Sequence, residues 1–196
     1  NIFANAQGGF LNASKIAEMF QITHPTVRRY VEILDQAYMM RLLHPYPFHT
    51  RKRIVKTPKV YIRDSGFLHR LLSIKDIHQL KEHPIASASW KGYVTENVAS
   101  SLPDWDIFFY EAASGYKLDL ILMKGKRKVA VKIHYSAQEI IDNFWNGIHD
   151  IRPDFTFIIV ASTSIEKAEE NVMICELNDF LNFMWREIDL QPGRKY

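Results

Sequence analysis

Two residues of opposite charge stand on adjacent short strands predicted within residues 115–136, GYKLDLILMKGKRKVAVKIHYS. Asp119 lies on the first alternating run and Lys132 on the second, and a basic turn around Gly125 joins them. A magnesium-dependent phosphodiesterase needs carboxylates that converge on the metal, and commonly a lysine beside the attacking water. Ala130 shares a strand face with Lys132, where a second carboxylate would complete such a site. The hairpin therefore has the spacing of a nuclease site that has lost one acid.

The elements around this hairpin follow an α/β order. Helices are predicted at 65–74, 89–102, 137–150 and 178–188, and strands at 105–112, 117–123, 128–134, 155–162 and 171–175. This order predicts an α/β (α+β) fold with a mixed sheet flanked by helices. The motifs of a phosphate-binding loop, a dinucleotide site, a serine nucleophile elbow and a zinc protease do not occur in the sequence, so those four classes have no support.

Residues 11–40 contain two helical patterns separated by a short turn. Asn12 or Ser14 can cap the first helix, and Thr23 can cap the second, in whose first turn Pro25 is tolerated. Two helices joined in this way predict a helix-turn-helix.

Both of these helices carry apolar residues at helical spacing. The residues expected to face inward are Ile16, Ala17, Met19, Phe20, Val27, Tyr30, Val31 and Leu34. The other face of the second helix is polar near its N-terminus, with His24, Thr26, Arg28 and Arg29. A recognition helix meets base edges and phosphates at this end, so these four residues are candidate DNA contacts. A solvated surface helix would show the same pattern.

A run of cations follows in RKRIVKTPK, with no acid among them: Arg51, Lys52, Arg53, Lys56 and Lys59. Strands predicted at 37–50 and 59–64 place this run on a loop or wing, which can lie along a phosphate backbone. Residues 1–75 carry 12 Lys and Arg against 4 Asp and Glu, whereas residues 76–196 carry 13 against 18. This asymmetry favours DNA as the partner of the N-terminal part, although a basic face that docks onto an acidic protein would give the same count.

Composition restricts the class of protein further. The single Cys175 excludes an internal disulfide framework and a thiolate zinc cage, and is typical of a reducing compartment. The apolar run at 155–161 is far shorter than a bilayer requires, so we expect a cytoplasmic protein with no membrane partner. The first residue is Asn1, and we expect a longer parent protein.

Three segments together resemble a known family: KRIVKTPKVYIRDSGFL, WKGYVTENVASSL and FFYEAASGYKLDLILMKGKRKVAVKI. They look like the C-terminal region of prokaryotic P-loop ATPases of the AAA superfamily, in which a winged helix and a PD-(D/E)XK nuclease-like domain follow the ATPase domain. The resemblance covers about residues 10–175. It implies a winged helix-turn-helix domain at 1–58 and a restriction-endonuclease-like domain at 59–196, with ATP bound by the preceding domain.

The resemblance also implies roles for individual residues. The family's helix glutamate falls on Glu96, its strand aspartate on Asp119 and its motif lysine on Lys132. Two positions depart from the pattern, because Ala130 replaces the glutamate of the E-x-K element and Lys117 replaces an acid that usually precedes the aspartate. Both departures remove negative charge from the part of the hairpin where the family's metal ion would bind. We therefore expect a degenerate site whose three retained residues form ion pairs.

Three functions follow as hypotheses. The first is a DNA-binding and regulatory module of an AAA-type ATPase, without catalysis and without a cofactor of its own. The second is a Mg²⁺-dependent nuclease, with Glu96 and Asp119 on the metal and a relocated carboxylate from Glu111 or Glu139, since coordination depends on where an oxygen arrives. The third is a module that docks onto its own ATPase domain or another acidic protein.

Overall fold

The computed structural model describes residues 2–47, 54–135, 143–161, 166–169 and 172–189. The elements in chain order are α1 (Ile2–Asn5), α2 (Ala13–Phe20), α3 (His24–Gln36), β1 (Met40–Pro45), β2 (Lys59–Ile62), α4 (Ser65–Leu71), α5 (Ile77–Glu82), α6 (Ala86–Ser101), β3 (Asp106–Glu111), β4 (Lys117–Lys124), β5 (Arg127–Ile133), α7 (Asn143–Ile151), β6 (Phe155–Ile159), β7 (Glu166–Glu169), β8 (Val172–Cys175), α8 (Leu177–Phe183) and a π-helix (Met184–Asp189). A mixed α/β fold was predicted, and at that level the prediction is confirmed.

Two compact units divide the chain. The first comprises residues 1–45 and 56–96, and the second comprises residues 46–55 and 97–196. The boundary predicted between residues 58 and 59 falls inside the first unit. Helix α6 begins in the first unit and ends in the second.

Helices α2 and α3 begin at the predicted caps. The side chain of Asn12 accepts a hydrogen bond from the backbone N–H of Lys15 at 2.9 Å, and that of Thr23 accepts one from the N–H of Thr26 at 3.4 Å. Each bond satisfies a backbone donor that the first helical turn leaves without a partner. The two helices pack through a small buried cluster of Ile16, Ala17, Val27 and Val31.

Three residues predicted to face inward are instead exposed. Met19 is 56% exposed, Phe20 59% and Tyr30 56%. Helix α2 has only eight residues and ends at Phe20, where the left-handed Gln21 (φ 54°) turns the chain. The buried contact between α2 and α3 is small, and these three residues reach solvent although their spacing fits a buried stripe.

Helix α3 ends in a Schellman motif. The N–H of Met39 donates to the carbonyl of Leu34, and the N–H of Tyr38 donates to the carbonyl of Asp35, both at 3.0 Å. The C′ position of this motif requires a left-handed backbone and is usually glycine. Here it is Tyr38, with φ 59°.

A side-chain amide extends the hydrogen bonding of β2, which pairs antiparallel with β1. Oε1 of Gln7 accepts from the N–H of Ile62 at 2.7 Å, and Nε2 of Gln7 donates to the carbonyl of Ile62 at 3.5 Å. Gly92 of α6 lies against this region, since a Cβ there would collide with Nε2 of Gln7 and come within 3.2 Å of Cδ1 of Tyr61.

The second unit contains a mixed sheet in the order β3-β4-β5-β6-β8-β7. Strands β3, β4 and β5 pair antiparallel, β5, β6 and β8 pair parallel, and β7 closes antiparallel on β8. Lys124 pairs with Arg127, so a two-residue turn that begins at Gly125 (φ 61°) joins β4 to β5. This hairpin carries the predicted acid and lysine.

Some elements differ from the sequence prediction. The predicted loop before α6 contains α5, and β7 precedes β8. The closing helix was predicted as one regular helix, but after Phe183 it continues as a π-helix. Of the helix predicted at 137–150, the structure describes the part from Asn143 onward. No helix in the described ranges is long and apolar enough to span a membrane.

Candidate functional site

The first candidate surface is the N-terminal half of α3. Val27 and Val31 point into the cluster with α2, so Arg28 and Arg29 lie on the solvent side of the helix, where both are exposed. Nε2 of His24 lies 2.8 Å from Oγ of Ser14, which ties the start of α3 to α2. The exposed pair of guanidinium groups is therefore carried on a helix whose first turn is fixed.

Thr26 contributes less of its side chain to this surface. Its Oγ1 lies 2.9 Å from Oγ1 of the capping Thr23, and it is partly buried. Of the four predicted contacts on α3, Arg28 and Arg29 are thus the ones best placed to reach a phosphate or a base edge.

Only part of the predicted basic wing can be described. Arg51, Lys52 and Arg53 lie outside the described residues. Lys56 is exposed, and Nζ of Lys59 lies 5.3 Å from the centroid of the Phe10 ring.

The second candidate site is the buried pair of Asp119 on β4 and Lys132 on β5. Nζ of Lys132 lies 3.2 Å from Oδ2 of Asp119, and each side chain is only 8% exposed. The same oxygen accepts a hydrogen bond from the N–H of Ile133 at 3.0 Å. Both donors would compete with a metal ion for this oxygen. Lys117, which stands two residues before Asp119 on β4, is exposed.

Ala130 lies in the apolar core beside this pair. It is opposite Ile121 on β4 and Thr156 on β6, and it is fully buried. Its cluster includes Leu118, Ile121 and Phe144. The position at which a metal site would need its second carboxylate is therefore occupied by a small, buried apolar side chain.

Glu96 forms ion pairs within the first unit. Its Oε2 accepts from Nε of Arg41 at 2.8 Å, and its Oε1 accepts from Nε of Arg63 at 2.7 Å. Burial raises the pKa of Glu96, but the hydrogen bonds and positive charges of the two arginines outweigh it and leave the pKa below its ordinary value. Glu96, on α6, is thus held ionised by Arg41 of β1 and by Arg63, which directly follows β2.

Sequence reasoning missed both arginines. They lie 55 and 33 residues before Glu96 in the chain, and neither belongs to a local pattern that would indicate a partner on α6. Arg41 is the second residue of β1 (MRLLHP) and Arg63 directly follows β2 (KVYI), and a cation at such a position is equally typical of a solvated surface.

A metal site has little support in the parts of the chain that the structure describes. Within them, no group of three or more His, Cys, Asp or Glu side chains is arranged to hold a metal ion. Glu111, one of the two carboxylates considered as replacements, is partly buried and pairs in register with Lys117. The other, Glu139, lies outside the described residues.

Comparison with known proteins gives a family match for the N-terminal part of the chain. The model of a family described as "Domain of unknown function (DUF8612)" matches residues 1–78. This range contains both candidate helices α2 and α3 and extends through β2 and α4.

Two curated mycobacterial proteins are similar over a longer range. They are "Uncharacterized protein Rv2008c" of Mycobacterium tuberculosis and "Uncharacterized protein Mb2031c" of Mycobacterium bovis, each 33% identical over 132 residues. The match covers 67% of this chain but 30% of each relative. The matched segment thus spans less than a third of the length of these relatives. No solved structure matches it.

Proposed function

We propose that the chain is a nucleic-acid-binding module that contacts DNA through the N-terminal half of α3. The observation that carries the proposal is the exposed pair Arg28 and Arg29 on a capped helix that packs on α2 through its opposite face. Guanidinium groups in this position can pair with phosphates and donate to guanine edges in the major groove. The excess of cations in residues 1–75 adds an attraction for any polyanion.

The order of α2, α3, β1 and β2 is compatible with a winged helix, and we propose that fold for the first unit.

For the second unit we propose a nuclease-like domain that does not catalyse hydrolysis. Supporting this, the carboxylate of Asp119 already accepts from Lys132 and Ile133, and Ala130 contributes no oxygen. Magnesium catalysis needs several oxygen ligands on one ion.

We also propose that the module belongs to a longer protein with an AAA-type ATPase domain. The relatives are more than three times longer than the matched segment, which leaves room for such a domain. ATP would bind there, and regulation of that ATPase by DNA would be the role of the module.

The experiment that tests DNA binding is fluorescence anisotropy of a labelled duplex titrated with the chain across a salt series. We expect affinity that falls steeply with salt, because each neutralised phosphate contributes about −0.9 to the slope of log K against log salt. Changing both Arg28→Ala and Arg29→Ala should weaken binding about tenfold or more at low salt and reduce that slope by about 2.

The matched control is the double variant Lys75→Ala and Lys81→Ala. Both lysines are exposed and belong to the first unit but not to α3, so this variant removes the same charge from outside that helix. If the two double variants lost equal amounts of DNA affinity, the effect would be one of overall charge, and α3 would not be the interface. Absence of binding at low salt would overturn the proposal itself.

A further inference from the structure

The exposed side of α3 carries an acid as well as its two arginines. Glu32 follows Arg28 by four residues and Arg29 by three, so it lies about one helical turn further along the same side of the helix. Val27 and Val31 are both 1% exposed and pack in the cluster with α2, whereas Glu32 is exposed. The carboxylate is therefore part of the surface that α3 presents to a partner.

The two acids of α3 differ in what they bond. Oδ1 of Asp35 accepts a hydrogen bond from the N–H of Leu42 at 3.1 Å, which ties the end of α3 to β1. Within the described ranges, no hydrogen bond or ion pair engages the side chain of Glu32. Asp35 thus stabilises the fold, whereas the carboxylate of Glu32 can accept from a ligand.

A carboxylate that faces DNA meets few groups that can donate to it. Phosphate oxygens only accept hydrogen bonds, and their negative charge repels the carboxylate. On the base edges of the major groove, the donors are the N4 amino group of cytosine and the N6 amino group of adenine. Adenine places the acceptor N7 beside its amino group and cytosine does not, so cytosine is the better partner for a carboxylate.

We infer, on the basis of the proposed contact between α3 and DNA, that Glu32 makes this binding selective for sequence by accepting a hydrogen bond from the N4 amino group of a cytosine. Arg28 lies about 6 Å back along the helix axis, or about two base-pair steps, and can donate to a guanine there. At other bases the carboxylate stays unpaired close to phosphates, which lowers the affinity. The surface thus combines an attraction for any duplex with a penalty that cytosine relieves.

The first part of the test is a selection of bound duplexes from a pool with a randomised central segment, followed by sequencing. With the whole chain we expect enrichment of a cytosine at one position. Glu32→Gln should replace this cytosine by adenine, because a glutamine amide pairs with N6 and N7 of adenine. The unfolding midpoint of this variant should match that of the wild type, since position 32 is exposed.

Fluorescence anisotropy with two defined duplexes then measures the size of the effect. The duplexes differ only at the selected position, with C·G in one and T·A in the other. Thymine presents the acceptor O4 there, so the wild type should bind the T·A duplex about fivefold or more weakly than the C·G duplex. Glu32→Ala should bind the two duplexes within about twofold of each other, and should bind the T·A duplex more tightly than the wild type does.

Glu82→Gln is the matched control for these variants. Glu82 is exposed on α5 in the first unit, so the change removes the same charge from outside α3. This variant should keep both the cytosine preference and the difference in affinity between the two duplexes.

Three outcomes would overturn the inference and leave the proposed function intact, provided that binding still depends on Arg28 and Arg29. They are a wild type that enriches no cytosine, a Glu32→Gln variant that keeps the cytosine preference, and a Glu32→Ala variant whose affinity rises by the same factor for both duplexes. The last result would make Glu32 a repulsive charge without a role in base recognition. A wild type that binds no duplex at low salt would overturn the proposed function and this inference together.

Discussion

The carboxylate of Asp119 is bonded inside the second unit to the ammonium of Lys132 and to the backbone N–H of Ile133, among others. A buried ion pair gains little net free energy over apolar residues of the same size, because both charges lose their hydration. The loss of one partner alone is far more costly, since the other charge stays buried without compensation. The pair is therefore best tested by changing its members singly and together.

We predict that Lys132→Met lowers the free energy of unfolding by about 3 kcal/mol at neutral pH. The cause is the uncompensated carboxylate of Asp119, which is 8% exposed. Urea denaturation followed by circular dichroism measures the change. The double variant Asp119→Asn with Lys132→Met removes both charges and should recover part of the loss. A single-variant cost below about 1 kcal/mol would show that the pair is solvated and not buried.

Glu96 gives a prediction about acid stability. Its pKa is lowered in the folded chain by Arg41 and Arg63 despite burial, so the unfolded chain binds a proton more readily. The stabilisation from these ion pairs is therefore complete above the ordinary pKa of 4.5 and is lost as the pH falls through the lower folded value.

We expect Glu96→Gln to destabilise the chain by about 1–3 kcal/mol at neutral pH, since it leaves two arginines without their carboxylate. The difference from the wild type should shrink as the pH falls below the ordinary glutamate value. Urea denaturation at a series of pH values measures it. Glu82→Gln, an exposed change on α5, serves as the control. A difference that does not vary with pH would contradict the ion-pair assignment.

At the scale of elements, the sequence predicted the β4–β5 hairpin well, because two short runs rich in apolar residues and a glycine turn between them are local signals. The caps Asn12 and Thr23 were readable for the same reason. The exposure of Met19 and Tyr30 could not be predicted from the sequence, because it depends on the small size of the contact between α2 and α3. Likewise, Arg41 became a partner of Glu96 only through the tertiary pairing of β1, which leaves no local signature.

Close packing at Gly92 of α6, within the first unit, leads to a third prediction. Gly92→Ala should lower the free energy of unfolding by about 1–2 kcal/mol, because its Cβ would displace the Gln7 amide from its bonds to Ile62. Thermal and urea denaturation measure the effect. In a Gln7→Ala background the same change should cost much less, which is the signature of coupling between neighbours.

Gly66→Ala is the matched control for this prediction. It is exposed on α4, and a Cβ there would come within 3.2 Å of a single atom, Oδ1 of the capping Asp64, so the change should cost less than about 1 kcal/mol. If Gly92→Ala lowered the free energy of unfolding equally in the wild type and in the Gln7→Ala background, the Gln7 amide would not be the group that excludes a side chain at position 92.

The whole molecule joins a unit with exposed cations and exposed apolar rings to a unit with a packed mixed sheet. Of the twelve exposed large hydrophobic residues in the described part, ten lie in the first unit. Exposed apolar residues are typical of interaction sites where they form a contiguous patch. The second unit instead buries its acid and lysine, each only 8% exposed.

Because the second unit buries Asp119 and Lys132, we predict that the stability of the chain does not depend on a divalent metal ion. Mg²⁺ or Mn²⁺ at millimolar concentration should shift the unfolding temperature equally in the wild type and in Asp119→Asn, and should not support cleavage of plasmid DNA. The reason is that Asp119 already accepts from Lys132 and Ile133, while Ala130 is packed among apolar side chains. A metal that bound the native state at a hundred times its Kd would add about 2.7 kcal/mol of stability. Such a gain, present in the wild type and absent in Asp119→Asn, would restore the nuclease hypothesis and require a carboxylate from another part of the chain.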